Sequence, residues 1–259
     1  MSVAHVTLSD GAVEILDLPG DEASPALVLL HEGLGSVGLW RTFPSDLRHA
    51  TGRRVIAFSR FGHGSSAPPP RPRTRAFFDE EAGTVLPELL DRLDAGTPML
   101  VGHSDGASIA LVHAASHPVA GLVLMAPHVF VEEQTLTGIR ATRAAYAGGE
   151  LRARIARHHD NPDAAFSGWC DVWLDPSFTD WTLDAEIERL EAPALLIQGR
   201  DDPYGSLEQI DRIWRRTGGP ATRLVLPGGH SPHLEQPERV LAAIAEFVAD
   251  PSGAEHHSL

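Results

Sequence analysis

Six short runs of apolar residues recur along this chain, and longer segments with helical periodicity separate them. The runs are continuously apolar, which is typical of strands covered on both faces, whereas a half-exposed strand alternates apolar and polar residues. The alternation of such strands with helices predicts an α/β fold with a mostly parallel central sheet. The predicted parallel strands are residues 26–31, 54–59, 98–103, 121–126, 194–199 and 222–226.

Two further apolar runs near the amino terminus, residues 3–8 and 12–18, flank the turn sequence Ser9-Asp10-Gly11. Asp-Gly between two strands favours a tight reversal, so we expect an antiparallel hairpin at one sheet edge and about eight strands in all. The predicted helices of the core are residues 39–50, 77–94, 104–116, 207–217 and 237–249.

Residues 127–192 break this alternation, because they offer helical segments without an intervening strand. We interpret them as a helical lid inserted into a single core, since a chain of 259 residues is short for two full domains. The predicted division is residues 1–126 and 193–250 for the core, 127–192 for the lid and 251–259 for a disordered tail.

The predicted lid is rich in aromatic residues: it holds seven of the chain's 16 Phe, Tyr and Trp residues. Trp169 and Trp173 would share one face of a helix. Together with Phe130 they either form a small core within the lid or line an apolar substrate pocket.

Composition excludes several kinds of chemistry. All 21 basic residues are arginines, so a Walker phosphate loop, a Schiff base and a Ser-Lys pair are impossible. A net charge of −14 disfavours nucleic-acid partners. One cysteine, Cys170, permits neither an internal disulfide nor a cysteine-ligated zinc site. Because no signal peptide or membrane-length apolar run is evident, we expect a cytoplasmic monomer or homodimer that acts on a small molecule and does not bind membranes.

The most specific motif is Gly102-His103-Ser104-Asp105-Gly106, a G-x-S-x-G pattern between a predicted strand and a predicted helix. Such a turn holds its serine in strained backbone geometry at the carboxyl end of the strand, and side chains at the two glycines would collide with neighbouring backbone. The amino end of the following helix favours an anion. The motif therefore predicts Ser104 as a nucleophile.

A serine hydroxyl needs a histidine base and a carboxylate that orients the base, in the order acid then histidine along the chain. Asp201 and Asp202 follow the fifth parallel strand, and His230 and His233 follow the sixth. In an open α/β fold the carboxyl ends of the strands gather the active site. The spacing does not decide which aspartate is the acid or which histidine is the base.

With these motifs the chain resembles the α/β-hydrolase superfamily, in the form with an inserted lid, over nearly its whole length. The resemblance lies in His31-Glu32-Gly33-Leu34 with Trp40, in residues 59–65, in the turn at Ser104, and in residues 199–202 and 229–237. It implies Asp202 as the acid and His230 as the base. Asp201 and His233 are left with surface or capping roles.

The resemblance also implies a mechanism. His230 takes the proton of Ser104 as the hydroxyl attacks an acyl carbon, and Asp202 stabilises the imidazolium. The backbone N–H groups of Asp105 and Gly33 bind the oxyanion, with Leu34 as the alternative second donor. Water then releases the acyl group, and no cofactor or metal ion is required.

Two residues depart from the pattern of the family. Glu32 replaces a glycine, and we expect its carboxylate to stabilise the turn as a hydrogen-bond acceptor rather than to position a water. Asp105 follows the nucleophile; relatives with Asp as the nucleophile carry it one residue earlier, so serine chemistry is expected. The candidate pocket residues are His31, Glu32, His103, Phe130, Trp169 and Trp173.

The favoured substrate is a carboxylic ester of a small apolar or aromatic acid, because the predicted lid is aromatic. Alternatives are a thioester, a lactone or the C–C bond of a vinylogous diketo acid, and, outside enzymes, a small-molecule receptor on the same fold. Arginines of the lid could hold a carboxylate or phosphate, although solvated positions are expected for them. They are Arg140, Arg143, Arg152, Arg154 and Arg157.

Residues 33–38 also match G-x-G-x-x-G, the pattern of a dinucleotide site, but no acid for the ribose follows at the usual distance. An NADP-binding protein is therefore a remote alternative, with Arg60 as the candidate for a 2′-phosphate. Metal binding has weaker support. We expect His113 and His117 to be packed or solvated, and His158-His159-Asp160 to be solvated.

Overall fold

The computed structural model describes residues 3–253 of the chain. Eight strands form one sheet: β1 (Ala4–Leu8), β2 (Gly11–Leu18), β3 (Leu27–Leu30), β4 (Val55–Phe58), β5 (Met99–His103), β6 (Gly121–Met125), β7 (Ala194–Gly199) and β8 (Ala221–Leu226). Their order across the sheet is β1-β2-β4-β3-β5-β6-β7-β8. Each predicted strand lies within one residue of its observed bounds.

The sheet is antiparallel only at its amino-terminal edge. Strands β1 and β2 form a hairpin in which Leu8 pairs with Gly11, and β2 lies antiparallel to β4. All other neighbouring strands are parallel. Gly11 has a φ of 139°, which a residue with a side chain rarely adopts, at the point where the chain reverses. The predicted fold class is confirmed.

Helices flank this sheet. They are α1 (Phe43–Thr51), α2 (Phe77–Glu80), α3 (Leu86–Arg92), α4 (Asp105–Ala114), α5 (Glu133–Ala147), α6 (Glu150–Ile155), α7 (Pro162–Trp173), α8 (Asp184–Glu188), α9 (Glu208–Arg216), α10 (Pro232–Glu235) and α11 (Pro237–Ala249). A π-helical turn, Glu81–Val85, joins α2 to α3, so the helix predicted at 77–94 is continuous but not purely α.

The helix predicted at 39–50 begins later than expected. Val37–Trp40 forms a 3-10 turn, and α1 starts at Phe43. Pro44 lies in the first turn of α1, where its missing N–H costs no hydrogen bond and its fixed φ suits a helix. Gly38, the last glycine of the G-x-G-x-x-G pattern, therefore lies in the 3-10 turn. A dinucleotide site requires an α-helix to begin there, and none does.

Successive residues of the parallel strands enter two different cores. In β3, Leu27 and Leu29 face one core and Val28 and Leu30 the other, and all four are completely buried. Helices α1 and α11 cover the first face, and α2, α3, α4 and α9 cover the second. Burial on both faces explains why these strands are apolar at every position.

Residues 127–192, called the inserted segment below, lie between β6 and β7 and contain α5 to α8. Their aromatic rings pack mostly on one another and on the core; Trp173, Phe178 and Trp181 are all in mutual contact. The tail predicted at 251–259 falls mostly outside the described residues, and Pro251–Gly253 forms a 3-10 turn. Within residues 3–253, no helix is both long and apolar enough to cross a membrane.

Candidate active site

Ser104 lies at the turn between β5 and α4, with a φ of 54° and a ψ of −122°. A side chain at Gly102 would overlap Cα of Ala107, and one at Gly106 would overlap the carbonyl of Leu30. These close approaches bring the turn against the neighbouring strand and force the serine into a conformation that L-residues rarely adopt. The turn predicted from G-x-S-x-G is present.

A chain of hydrogen bonds joins Ser104 to a histidine and an acid. Nε2 of His230 lies 2.9 Å from Oγ of Ser104, and Nδ1 of His230 lies 2.7 Å from Oδ2 of Asp202. Asp202 follows β7 and His230 follows β8, so the carboxyl ends of three strands meet here. The Asp202 carboxylate also accepts hydrogen bonds from Nε2 of Gln198 and the N–H of Tyr204, at 2.6 and 2.8 Å.

The alternatives Asp201 and His233 lie outside this series of hydrogen bonds. Asp201 is exposed, and its N–H donates to the carbonyl of Gly228 over 2.9 Å. His233 is buried, with its ring 4.9 Å from that of Trp40 and 5.2 Å from that of Phe43. The surface role expected for His233 is therefore wrong: its ring completes the packing under the site.

Burial and neighbouring groups together set the charges of the site. Burial opposes ionisation of Asp202, but the hydrogen bond and charge of His230 outweigh it, and the pKa of Asp202 lies below its ordinary value. Burial raises the pKa of Asp105, although Arg60 and the indole of Trp173 act against it. Burial lowers the pKa of His128 to about 3, so this ring, 5.6 Å from that of His230, is neutral.

The loop after β3, residues 31–35 (the 31–35 loop), has backbone carbonyls that accept hydrogen bonds from buried side chains. Arg60, which is completely buried, donates to the carbonyls of His31 and Glu32. Nδ1–H of His31 also donates to the Glu32 carbonyl, because Nε2 of this ring accepts the N–H of Arg60. Nε2 of His63 donates to the carbonyl of Gly33 over 2.9 Å.

Two N–H groups of this loop are free. Among the described residues, neither the Gly33 nor the Leu34 N–H donates a hydrogen bond. Asp105 begins α4, so its N–H has no acceptor within the helix. The three predicted oxyanion donors are therefore all unengaged, and the structure gives no preference between Gly33 and Leu34.

Two tryptophans of α7 contact the site. A side chain at Gly33 would overlap the indole of Trp169, which lies directly on this glycine. Nε1 of Trp173 donates to Oδ1 of Asp105 over 3.1 Å. The inserted segment also reaches the acid: Nε2 of Gln134 donates to the backbone carbonyl of Asp202 over 2.6 Å.

Ser104 opens into a cavity of about 880 Å³ between the core and the inserted segment. Its walls are mostly apolar. Four of the six candidate pocket residues line it: Glu32, His103, Trp169 and Trp173. The other two do not. His31, the first residue of the 31–35 loop, is completely buried, and Phe130 packs under the guanidinium of Arg212, 4.8 Å from its ring.

Glu32 lies beside a histidine. Its Oε2 is 3.7 Å from Nδ1 of His103, whose Nε2–H donates to the carbonyl of His230 over 2.7 Å. Burial works against the charge, yet the proximity of His103 lowers the pKa of Glu32 to about 2. The carboxylate also folds over Gly35, where a side chain would overlap it. Its expected role as a hydrogen-bond acceptor that stabilises the turn stays a prediction.

Sequence reasoning missed the residues that support the site. Arg60 and His63 lie within residues 59–65, a motif that the sequence analysis identified. The motif did not predict that these two side chains hydrogen-bond to the 31–35 loop. His159 was expected to be solvated, and this is wrong: it is 5% exposed and bonds to the backbone of Leu34 and Gly64. His128 is the third residue after β6, and its place at the end of a parallel strand is the signal that could have found it.

Within residues 3–253, no group of three or more His, Cys, Asp or Glu side chains is arranged to hold a metal ion. Cys170 is free and buried.

Comparison with known proteins finds curated relatives that are named as hydrolases and a solved structure with the same fold. The chain is 25% identical over 249 residues to the human serine hydrolase BPHL, covering 90% of this chain and 82% of the relative. It is 26% identical over 246 residues to the esterase YbfF of Escherichia coli (strain K12), covering 86% and 93%. The crystal structure of the enol-lactonase from Burkholderia xenovorans LB400 superposes with a TM-score of 0.76 at 18% identity, covering 95% and 100%, which is a likeness of fold.

The family match covers most of the molecule and includes Ser104, Asp202 and His230. The family model described as "Alpha/beta hydrolase family" matches residues 27–243, from the start of β3 into α11. The chain belongs to the alpha/beta hydrolase family.

Proposed function

We propose that this protein is a serine hydrolase that cleaves carboxylic esters through an acyl-enzyme on Ser104. The observation that carries the proposal is the hydrogen-bonded series from Ser104 through His230 to Asp202, at 2.9 and 2.7 Å. Similarity to a serine hydrolase and to an esterase supports it.

In the first half-reaction Nε2 of His230 takes the Ser104 proton while Oγ bonds to the acyl carbon. Asp202 stabilises the imidazolium, which then donates this proton to the departing alkoxide as its bond to carbon breaks. In the second half-reaction a water gives its proton to His230 and its oxygen to the acyl carbon, and Oγ leaves with the proton. In both half-reactions the oxyanion is bound by the N–H group of Asp105 and by that of Gly33 or Leu34.

The charges near Ser104 favour a neutral, apolar acyl group. Two acidic residues, Glu32 and Asp105, are among those that line the cavity. Of the arginines singled out in the lid, Arg140 and Arg152 form ion pairs with Glu133 and Asp163 on the surface. Arg154 lines the cavity, together with an acid, Glu150. A diketo acid or a CoA thioester would need several cations at the wall; among the described residues that line the cavity Arg154 is the only arginine, so we place these substrates second.

The inserted segment acts as the lid of this site. Ile139, Leu151 and Ile155 supply apolar wall opposite Ser104, and the two tryptophans of α7 close the cavity beside Asp105. Aromatic and aliphatic surface of this kind binds a flat or branched acyl group. Esters of benzoic and branched acids are accordingly expected to be hydrolysed faster than acetate esters.

The test is turnover and covalent labelling of purified protein. A fluorophosphonate should add one label at Ser104, located by mass spectrometry, and p-nitrophenyl benzoate should be hydrolysed. Ser104→Ala should abolish both, whereas Ser116→Ala, an exposed serine of the same region, should change neither. Absence of labelling and of hydrolysis across acetate, butyrate and benzoate esters would overturn the proposal in favour of a small-molecule receptor.

A further inference from the structure

The 31–35 loop receives one of its hydrogen bonds from the inserted segment. Nε2 of His159, in the link between α6 and α7, donates to the carbonyl of Leu34 over 2.9 Å. We propose that His159 is a positioning residue, which holds the 31–35 loop in the shape that presents its free N–H groups to the oxyanion only while the inserted segment is docked. This inference rests on the proposed hydrolase function.

Both ring nitrogens of His159 are used. Nδ1 accepts the N–H of Gly64 over 3.0 Å, so the neutral ring carries its proton on Nε2 and must donate to Leu34. Burial lowers the pKa of His159, which keeps the ring in this neutral form. The N–H of Asp160 donates to the carbonyl of Gly64 over 2.9 Å, so the backbone next to His159 is also anchored to the core.

Two planar peptides connect this contact to an oxyanion donor. The carbonyl held by His159 belongs to the Leu34–Gly35 peptide, whose N–H donates to the Glu32 carbonyl over 3.0 Å. That carbonyl in turn belongs to the peptide that carries the Gly33 N–H. In a trans peptide the C=O and N–H point in opposite directions, so fixing each carbonyl fixes the direction of the N–H across it.

Side chains from the core and from the inserted segment together hold the carbonyls of the 31–35 loop. Arg60 and His63, from the core, hold the carbonyls of Glu32 and Gly33. His159 holds the next carbonyl, and its ring meets that of His63 edge-on at 5.6 Å. Trp169, also from the inserted segment, lies on Gly33. If the segment moved away, the loop would lose the Leu34 hydrogen bond and the indole together.

The experiment compares His159→Leu, which removes the donor, with His159→Gln, which keeps one. For His159→Leu we expect kcat on p-nitrophenyl benzoate to fall about 10- to 100-fold, as for other supporting contacts, while KM changes less than about threefold. His159→Gln should recover part of the loss. His158→Leu, the half-buried neighbour, should match the wild type.

An inhibitor pair separates positioning from folding. An aryl trifluoromethyl ketone forms an oxyanion adduct with the serine, whereas the matching methyl ketone binds mainly in its ground state. In His159→Leu the affinity for the trifluoromethyl ketone should fall by the same factor as kcat, whereas the affinity for the methyl ketone should not change. If the ratio of the two affinities equals that of the wild type, even in a variant with lowered Tm, the positioning role is wrong although the hydrolase function stands. A wild type that neither labels nor turns over would overturn both.

Discussion

The indole of Trp173 donates a hydrogen bond to the carboxylate of Asp105 over 3.1 Å, which ties the end of α7 to the residue after the candidate nucleophile. Both side chains are buried. Trp173→Phe keeps the ring but leaves a buried carboxylate with one donor fewer, so we expect the free energy of unfolding to fall by about 1–3 kcal/mol. Urea denaturation measures this change.

The matched control is Trp214→Phe, on α9, whose ring packs against the guanidinium of Arg223 at 5.4 Å. It should cost less than about 1 kcal/mol, because Phe keeps the half-buried ring and a partly exposed contact with a cation is weak. An equal loss in the two variants would contradict a specific role for the Trp173 hydrogen bond.

Replacing Asp202 should be far more damaging than replacing its neighbour. In Asp202→Asn an amide can face Nδ1 of His230, which favours the wrong tautomer, and we expect kcat to fall by about three to four orders of magnitude. Asp201→Asn, at an exposed side chain, should stay within about twofold of the wild type. Steady-state kinetics on one ester decides, and similar losses in both variants would argue against Asp202 as the orienting acid.

Gly33 is expected to be intolerant of even a methyl group, because its added side chain would overlap the indole of Trp169. Gly33→Ala should cost about 1–3 kcal/mol of stability and most of the activity. Trp169→Ala in the same chain removes the obstacle, so the double variant should be more active than Gly33→Ala alone. Gly83→Ala, where nothing lies within 4 Å, is the control and should leave activity unchanged.

Stability should decline steeply in mild acid. Burial holds the pKa of four imidazoles well below the ordinary value, and they belong to His31, His63, His128 and His233. The unfolded chain binds protons at these rings as pH falls through about 6.5, whereas the folded chain does not. Stability is therefore nearly full at pH 7.5 and is lost as the pH falls, by about 1.4 kcal/mol per ring between pH 7.5 and 5.5, or about 5.6 kcal/mol for the four rings.

Urea denaturation at pH 7.5, 6.5 and 5.5 measures this loss. His128→Gln should reduce it by about a quarter, since one of four rings is removed, while His49→Gln on the surface should not change it. A free energy of unfolding that stays constant over this range would contradict neutral, buried imidazoles.

The strands and the position of Ser104 were predictable because local patterns determine them. β3 and β4 are apolar at every residue since helices cover both faces, and Gly102 and Gly106 are required by contacts within a few residues or on the adjacent strand. The choice of Asp202 and His230 needed the resemblance of whole motifs, because spacing alone allowed Asp201 and His233 as well.

The supporting contacts were not predictable in the same way. His159 meets Leu34 across 125 residues of sequence, and Arg60 meets the carbonyls of the 31–35 loop across 28 or more. A histidine in a helical link has no local signature that separates a buried donor from a solvated ring. His233 was misplaced for the same reason, since its neighbours Trp40 and Phe43 come from the other end of the chain.

The contacts of Trp169 with Gly33 and of His159 with Leu34 bear on how this family can diversify. Exchanging the segment between β6 and β7 is an obvious route to new substrate ranges, because that segment forms most of the cavity wall. In this chain such a graft would also replace two supports of the loop beside the nucleophile. A chimera that changes specificity without losing rate would have to carry over an indole and an imidazole at these two places.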